Sequence, residues 1–173
     1  MSSCNRRMVK MMIASFIAIV AAANAAQPAL ADDREKLLGG WKLVSNESEI
    51  QDTGELRPAY GKNPNGYIIF MPEGRMMTVI TGEGRKVPKT DEERSAAWST
   101  MIAYTGMYRI EGDKFITKVD VSWNEAWNGT EQIRFFKLDG NRLKVISGWA
   151  PTNNPNLGLG RMTRGILIWE RVK

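Results

Sequence analysis

The stretch TEQIRFFKLDGNRLKVISGW, residues 130–149, has the pattern of two β-strands joined by a tight turn. Leu143, Val145 and Trp149 share one face of the second strand, opposite Lys144. Such alternation is typical of an antiparallel strand with one buried face. An Asp-Gly pair between two such runs, here Asp139-Gly140, is among the strongest short signals for a β-hairpin. The stretch therefore predicts a hairpin.

The same pattern recurs along most of the chain. A second hairpin is predicted around Glu111-Gly112-Asp113, with Phe115, Val119, Val121 and Trp123 on one buried face. A third is predicted around Pro72-Glu73-Gly74. The eight predicted strands span residues 41–50, 66–71, 75–81, 104–110, 114–123, 130–138, 142–149 and 163–172. Consecutive hairpins favour an all-β, eight-stranded antiparallel up-and-down barrel, because closure removes exposed sheet edges. A β-sandwich is the alternative.

One helix interrupts the strands, between the third and the fourth. Thr90 and Glu93 have the spacing of a capping box, in which each side chain bonds the backbone N–H of the other residue. Ala97, Trp98, Met101 and Ile102 then fall on one helical face. The pattern predicts a helix over residues 90–103, packed on the barrel surface or across one mouth.

The first 31 residues have the layout of a cleavable export signal. Basic residues precede an apolar run over residues 11–23. Ala29-Leu30-Ala31 offers a cleavage point, with Ala23-Asn24-Ala25 as the alternative. We therefore expect a periplasmic or secreted protein whose domain spans residues 32–173. A membrane anchor is the alternative, but the run is shorter than the ~20 residues that a span needs. The basic residues Arg6-Arg7 also leave a twin-arginine route open.

The composition excludes several classes of enzyme. The chain has no His and one Cys, Cys4, so Ser-His-Asp triads, Cys-His pairs and His-based metal sites are ruled out. We expect no cofactor and no metal. The signal carries three of the 24 basic residues and none of the 19 acidic ones, so its removal lowers the net charge from +5 to +2. No dense basic stripe remains, which argues against a nucleic-acid partner.

The segment Leu37-Leu38-Gly39-Gly40-Trp41 resembles the Gly-x-Trp opening of lipocalins. More specifically, the chain resembles the bacterial and fungal lipocalin-like domain family from about residue 37 to its end. The other matching stretches are Tyr60-Gly61, Gly66-Tyr67, Pro72 to Met76, Thr90 to Glu93, Ala103 to Tyr108, Gly129 to Arg134, Leu138 to Gly140 and Leu167 to Arg171. The resemblance implies an eight-stranded barrel with an internal cavity. Family members often carry His in their strands, and this chain has none, so imidazole chemistry does not carry over.

The resemblance also implies how the barrel is closed. In lipocalins an Arg near the last strand packs on the opening Trp, here Trp41 and Arg171, with Arg164 as the alternative partner. A guanidinium over an indole contributes ~0.5–2 kcal/mol. The predicted role of this pair is structural.

Seven residues are predicted to bind a ligand inside the barrel. The aromatic members either fill the core or line a cavity. Arg134 either points inward, where it would orient a carboxylate or carbonyl, or lies on a solvated face like Glu131 and Glu170. The predicted ligand-binding residues are Tyr67, Tyr104, Tyr108, Trp123, Trp127, Arg134 and Trp149.

These observations leave three hypotheses about function. The first is an exported, monomeric protein that binds a small hydrophobic or amphipathic molecule in the barrel and keeps no membrane span after signal cleavage. The second is an isomerase or cyclase that uses the same cavity, with a buried Glu and a Tyr as the acid–base pair; no catalytic residue is assigned. The third is a barrel filled by its own side chains.

Overall fold

The computed structural model describes residues 34–154 and 157–173, and the predicted export signal lies outside them. A helical turn over residues 34–37 leads into the first strand. The strands are β1 (Gly39–Ile50), β2 (Leu56–Pro58), β3 (Asn65–Phe70), β4 (Arg75–Thr81), β5 (Met101–Glu111), β6 (Lys114–Ser122), β7 (Glu131–Asp139), β8 (Arg142–Ser147), β9 (Ala150–Pro151) and β10 (Met162–Arg171). Helix α1 spans Asp91–Ser99, and a short 3-10 turn spans Glu125–Trp127.

The sheet closes on itself. Each strand from β3 to β7 pairs antiparallel with the next, and β8 pairs with β10. Strand β10 pairs with β1 from Trp41↔Arg171 to Ile50↔Thr163, and β1 pairs with β3. Strands β1, β3 to β8 and β10 therefore form a closed barrel of eight strands within the described residues, while β2 and β9 add short pairings to β1 and β10. The predicted barrel is confirmed, and the sandwich alternative is wrong.

Two β-bulges change which side chains face the interior. In β1, Leu43 pairs with Trp169 and Ser45 with the adjacent Ile168, so Val44 is the extra residue. In β6, Val119 and Val121 pair with consecutive residues of β5, and Val121 is 62% exposed. The prediction that Val121 shares the buried face of Phe115 is therefore wrong, because an extra residue shifts the alternation by one.

Gly106 permits the bulge in β6. A Cβ at this position would lie 2.0 Å from the carbonyl oxygen of Lys118 on the neighbouring strand. No side chain is compatible with so close a backbone approach, so glycine is required here.

Large apolar side chains fill the end of the barrel where β1 begins. Its fully buried members include Trp41, Phe70, Met76, Leu143 and Trp169. Burying side chains of this size contributes roughly 1.5–3 kcal/mol each. This core closes one end of the barrel and leaves space only toward the other.

Arg171 and Trp41 hold this end together. The guanidinium of Arg171 lies 4.1 Å from the Trp41 ring centroid and donates to the carbonyls of Leu38, at 2.7 Å, and Lys36. The Trp41 indole N–H donates to the Leu37 carbonyl at 2.8 Å. The last strand is thus tied to the segment that leads into the first.

Helix α1 is shorter than predicted. Thr90 and Glu93 form the expected capping box, but α1 ends at Ser99, and Met101 and Ile102 instead pair with β4 as the start of β5. Trp98 is 54% exposed, and no residue of α1 is buried. The predicted apolar helix face is wrong because cross-strand hydrogen bonds in the barrel replace the last helical turn.

Candidate ligand-binding cavity

A cavity of about 430 Å³ lies between the Trp41 core and the end of the barrel where β1 and β8 finish. Sites for small molecules usually measure roughly 300–1,000 Å³ and are mostly apolar with a few placed polar groups. The apolar and aromatic walls come from Ile68, Ile80, Ile102, Tyr60, Tyr104, Phe115, Trp127, Val145, Leu167 and Trp169. The polar lining includes Asn46, Ser48, Thr78, Gln132, Arg134 and Ser147. This volume does not support a barrel filled by its own side chains.

Three of the predicted aromatic residues line the cavity. Tyr104 and Trp127 meet edge to face with their ring centroids 5.4 Å apart. Trp149 lies just beyond the end of β8 and lines the outer part of the cavity. Arg164, the alternative partner predicted for Trp41, instead lies 4.6 Å from the Trp149 ring centroid and pairs with Glu49 at 2.7 Å. The indole of Trp149 thus packs on the Arg164 guanidinium, whose charge is neutralised by Glu49.

The other three predicted aromatic residues lie elsewhere. Tyr67 is 50% exposed on the outer face, because Ile68 takes the inward position of β3. Its predicted place in the cavity is wrong. Tyr108 packs in the core below, 5.1 Å from the Phe70 ring centroid. Trp123 lies behind the lining and meets Trp127 at 4.8 Å. It contacts the cavity wall rather than the cavity.

Arg134 faces the interior, as the inward hypothesis requires. On β7 the inward positions are half-buried and alternate with exposed ones, and Arg134 occupies one of them. It donates to the Ile133 carbonyl at 2.8 Å and to the Gln132 side-chain oxygen at 3.2 Å. Its guanidinium also lies 5.6 Å from the Trp127 ring centroid. The charge is therefore held against the aromatic wall.

The two acidic residues considered with Arg134 are both engaged in ion pairs. Glu131 lies at the edge of the cavity and pairs with Arg109 at 2.7 Å. Because Arg109 donates hydrogen bonds to it, the pKa of the Glu131 carboxyl lies below its usual value. Glu170 pairs with Arg142 at 3.2 Å, and both side chains are more than half exposed. The solvated cross-strand pair considered for Glu170 is therefore present.

Sequence reasoning missed most of the lining, including Asn46, Ser48, Tyr60 and Trp169. The bulge in β1 turns Asn46 and Ser48 inward. The sequence carries a signal of this bulge, because the apolar inward residues change from odd positions (Trp41, Leu43) to an even position (Ile50). Tyr60 precedes β3, and burial raises the pKa of its phenol. Trp169 was not assigned to the site.

Two of these residues carry polar groups that have no partner, and one of the two groups, the Asn46 amide, faces the cavity. Asn46 is 4% exposed, and its side-chain amide makes no hydrogen bond with any described residue. The indole N–H of Trp169, a residue 1% exposed, also lacks an acceptor in the described part of the chain. Leaving such a group unsatisfied costs about 1–3 kcal/mol. The Asn46 amide is available to hydrogen-bond a guest, whereas the Trp169 N–H is covered by the protein around it.

A metal-binding cluster and a membrane-spanning helix are both absent from residues 34–154 and 157–173. No cluster of three or more His, Cys, Asp or Glu side chains is arranged to hold a metal ion there. None of the helices in that part of the chain is both long and apolar enough to cross a membrane.

Comparison with known proteins places the chain in a family. Curated proteins yield no match to the sequence. A family model described as a lipocalin-like domain matches residues 38–172, from just before β1 to just after β10. The match spans the closed barrel and every cavity residue named above. On this match, and with an eight-stranded barrel to support it, the chain belongs to the lipocalin-like domain family.

Proposed function

We propose that this protein is exported and binds one small hydrophobic or amphipathic molecule in its barrel cavity. The observation that carries the proposal is a cavity of about 430 Å³ with mostly apolar walls and a few inward polar groups. Membership of the lipocalin-like domain family agrees with a ligand-binding role in general terms. The fold alone does not establish an activity.

Burial of the apolar part of the guest supplies the driving force. Removing about 200 Å² of apolar ligand surface from water would contribute about 5 kcal/mol. Part of this is offset by the translational and rotational freedom that the ligand loses on binding. Tyr104 and Trp127 offer flat, rigid surfaces for such a guest.

Buried polar groups supply orientation. The Asn46 amide faces the cavity without a partner among the described residues. An oxygen acceptor on the guest would bond its N–H groups and recover part of the desolvation cost. A guest with an apolar body and at least one oxygen fits this lining better than a pure hydrocarbon.

The alternative, an isomerase or cyclase, requires a carboxylic acid beside a tyrosine. Glu131 is the carboxyl group that lines the cavity in the described chain, and its pKa is lowered by Arg109. It is therefore ionised at neutral pH and is a poor proton donor. No contact of the described residues specifically favours this alternative.

Export is supported by the sequence alone. The proposal takes residues 1–31 as a removable signal and residues 32–173 as the functional domain in the periplasm or outside the cell. The intact mass of the protein recovered from each cell fraction tests this. A product outside the cytoplasm that lacks the first 31 residues supports export, whereas a full-length membrane-bound product contradicts it.

The binding proposal is tested by blocking the cavity. Ile102 lines the cavity near its open end, so Ile102→Trp should fill part of it and abolish the fluorescence increase of an apolar probe such as 1-aminoanthracene. The matched control is Val79→Trp on the neighbouring strand, where the side chain is 42% exposed on the outer face. Equal probe binding by both variants would refute a site inside the barrel.

A further inference from the structure

Arg134 stands within the lining of the cavity rather than at its edge. Its backbone partners are Phe115 on β6 and Ser147 on β8, and both of these residues also line the cavity. Strand alternation therefore places the Arg134 guanidinium in the cavity wall, between lining residues of the two neighbouring strands. A long charged side chain in such a place costs desolvation energy unless it meets an opposite charge.

The hydrogen bonds of Arg134 leave most of its donors free. A guanidinium has five N–H groups in a fixed planar fork. One bonds the Ile133 carbonyl and one bonds Gln132. The other three have no acceptor among the described residues. The two bonds that are made fix the plane of the group, so the remaining donors are oriented before a ligand arrives.

The charge of Arg134 is not neutralised by the described protein. It forms no ion pair there, and Glu131, the acidic residue of the lining, pairs with Arg109 on two hydrogen bonds of 2.7 and 3.2 Å. At the rim, Arg164 is likewise paired with Glu49. The lining thus carries one uncompensated positive charge.

From this charge balance we infer that the cavity selects a monocarboxylic acid with an apolar body, whose carboxylate is bound by Arg134. The inference rests on the proposed function and narrows it to a ligand class. A carboxylate matches the fork of a guanidinium and carries one negative charge. A phosphate monoester carries about −1.5 to −2, and would leave negative charge uncompensated in the barrel. The aromatic face of Trp127 and the apolar walls take the rest of the molecule.

Other polar groups lie in the same cross-strand row as Arg134. Ser48 pairs with Gly165, whose backbone N–H donates to the Ser147 hydroxyl at 2.8 Å. Ser147 pairs in turn with Arg134. Ser48 is buried and lines the cavity, and its hydroxyl makes no hydrogen bond within the described chain. It lies in the same cross-strand row as Arg134 but three strands away, roughly 14 Å along the sheet at about 4.8 Å per strand. Ser48 therefore offers a neutral donor to another polar group of the ligand and not to the carboxylate.

The test compares an acid with its neutral ester. The probes are cis-parinaric acid, a fluorescent polyene carboxylic acid, and its methyl ester, titrated into the wild-type protein, Arg134→Met, Arg134→Lys and Arg142→Met. Arg142 is the matched control, because it is an arginine of the neighbouring strand whose side chain is 63% exposed and paired with Glu170 outside the cavity.

We expect the wild-type protein and Arg142→Met to bind the acid about tenfold to hundredfold more tightly than the ester, as charge-assisted hydrogen bonds imply. Arg134→Met should erase this preference by weakening the acid alone, and Arg134→Lys should retain part of it. Ester binding by Arg134→Met shows that the variant is folded, and Arg134→Lys provides the readout if it is not.

The three possible failures are distinguishable. Equal affinities of the wild-type protein for acid and ester would overturn the inference about Arg134 and leave the proposed function intact. Binding of neither probe by the wild-type protein would count against the proposed function and against this inference with it. An acid preference that survives in Arg134→Met would place the anion site elsewhere and also overturn the inference.

Discussion

Replacing Asn46 by leucine should stabilise the empty protein and weaken ligand binding. The side chain is 4% exposed and faces the cavity, and its amide has no hydrogen-bond partner among the described residues. The amide atoms keep some accessible surface toward the cavity, so they bear only part of the ~1–3 kcal/mol that a fully desolvated polar group costs. An apolar side chain of similar volume bears none of it. The amide is therefore maintained at a cost to stability, as expected of a group that serves a guest.

The expected gain follows from the lower end of that range. About 1 kcal/mol corresponds to a rise in Tm of roughly 3–5 °C for a domain of this size. The assay is thermal unfolding by circular dichroism without ligand, together with titration of cis-parinaric acid. The control is Lys42→Leu, which adds the same side chain at an exposed position of β1.

Comparing Asn46→Leu with Lys42→Leu tests whether the polar side chain of the cavity lining lacks a hydrogen-bond partner in the empty protein. Asn46→Leu should raise Tm and reduce affinity, while Lys42→Leu should change neither appreciably. A lower Tm for Asn46→Leu would mean that the amide is satisfied within the protein, and the argument from unpartnered cavity groups would fail.

The remaining predictions concern the barrel itself. Gly106→Ala should lower the free energy of unfolding, measured by urea titration, by more than about 2 kcal/mol, because the new Cβ would meet a backbone carbonyl oxygen at 2.0 Å. The control Gly148→Ala, with no atom within 4 Å of its Cβ, should leave that free energy nearly unchanged. Arg171→Met removes a cation–π contact and two hydrogen bonds at the closed end, so it should lower the free energy of unfolding by about 2–3 kcal/mol. The exposed control Arg142→Met should lower it by less than about 0.5 kcal/mol. Equal losses in the two variants would show that the Arg171 contact does not close the barrel. The pKa of Glu83 is lowered from 4.5, first by its hydrogen bond from the Asn63 side chain, so its contribution to stability is present above pH 4.5 and lost as the pH falls through the folded pKa. Glu83→Gln should therefore show a smaller decrease in Tm than the wild-type protein between about pH 6 and pH 3, and parallel curves would contradict this.

The fold was predictable because its signals are local. Asp139-Gly140 and Gly112 mark turns whose flanking residues alternate, and eight such strands in sequence have few ways to pair. The residues that close the barrel, Trp41 and Arg171, came from the family resemblance rather than from the pattern. Their contact is present in the structure.

The cavity was less predictable because side-chain direction depends on register. Strand alternation has a period of two, so a single extra residue reverses every later assignment. The bulge at Val44 brought Asn46 and Ser48 inward, and the bulge before Val121 turned that side chain out. Tyr67 was misplaced for a different reason: a large aromatic residue was taken as buried, whereas Ile68 beside it occupies the inward position.

The end of α1 shows the limit of local helix signals. The capping box at Thr90 and Glu93 correctly marked where the helix begins. Nothing in the local sequence showed that Met101 and Ile102 would pair with β4. Pairing between residues distant in sequence decided the conformation at that point.

The central claim is that the barrel cavity holds a small molecule. It is tested most directly by native mass spectrometry of the protein purified from its own host, followed by extraction and identification of what is released. The account predicts an added mass at near-stoichiometric level that belongs to a small apolar carboxylic acid. A protein of unliganded mass whose tryptophan fluorescence does not respond to a panel of fatty, terpenoid and aromatic acids would contradict it.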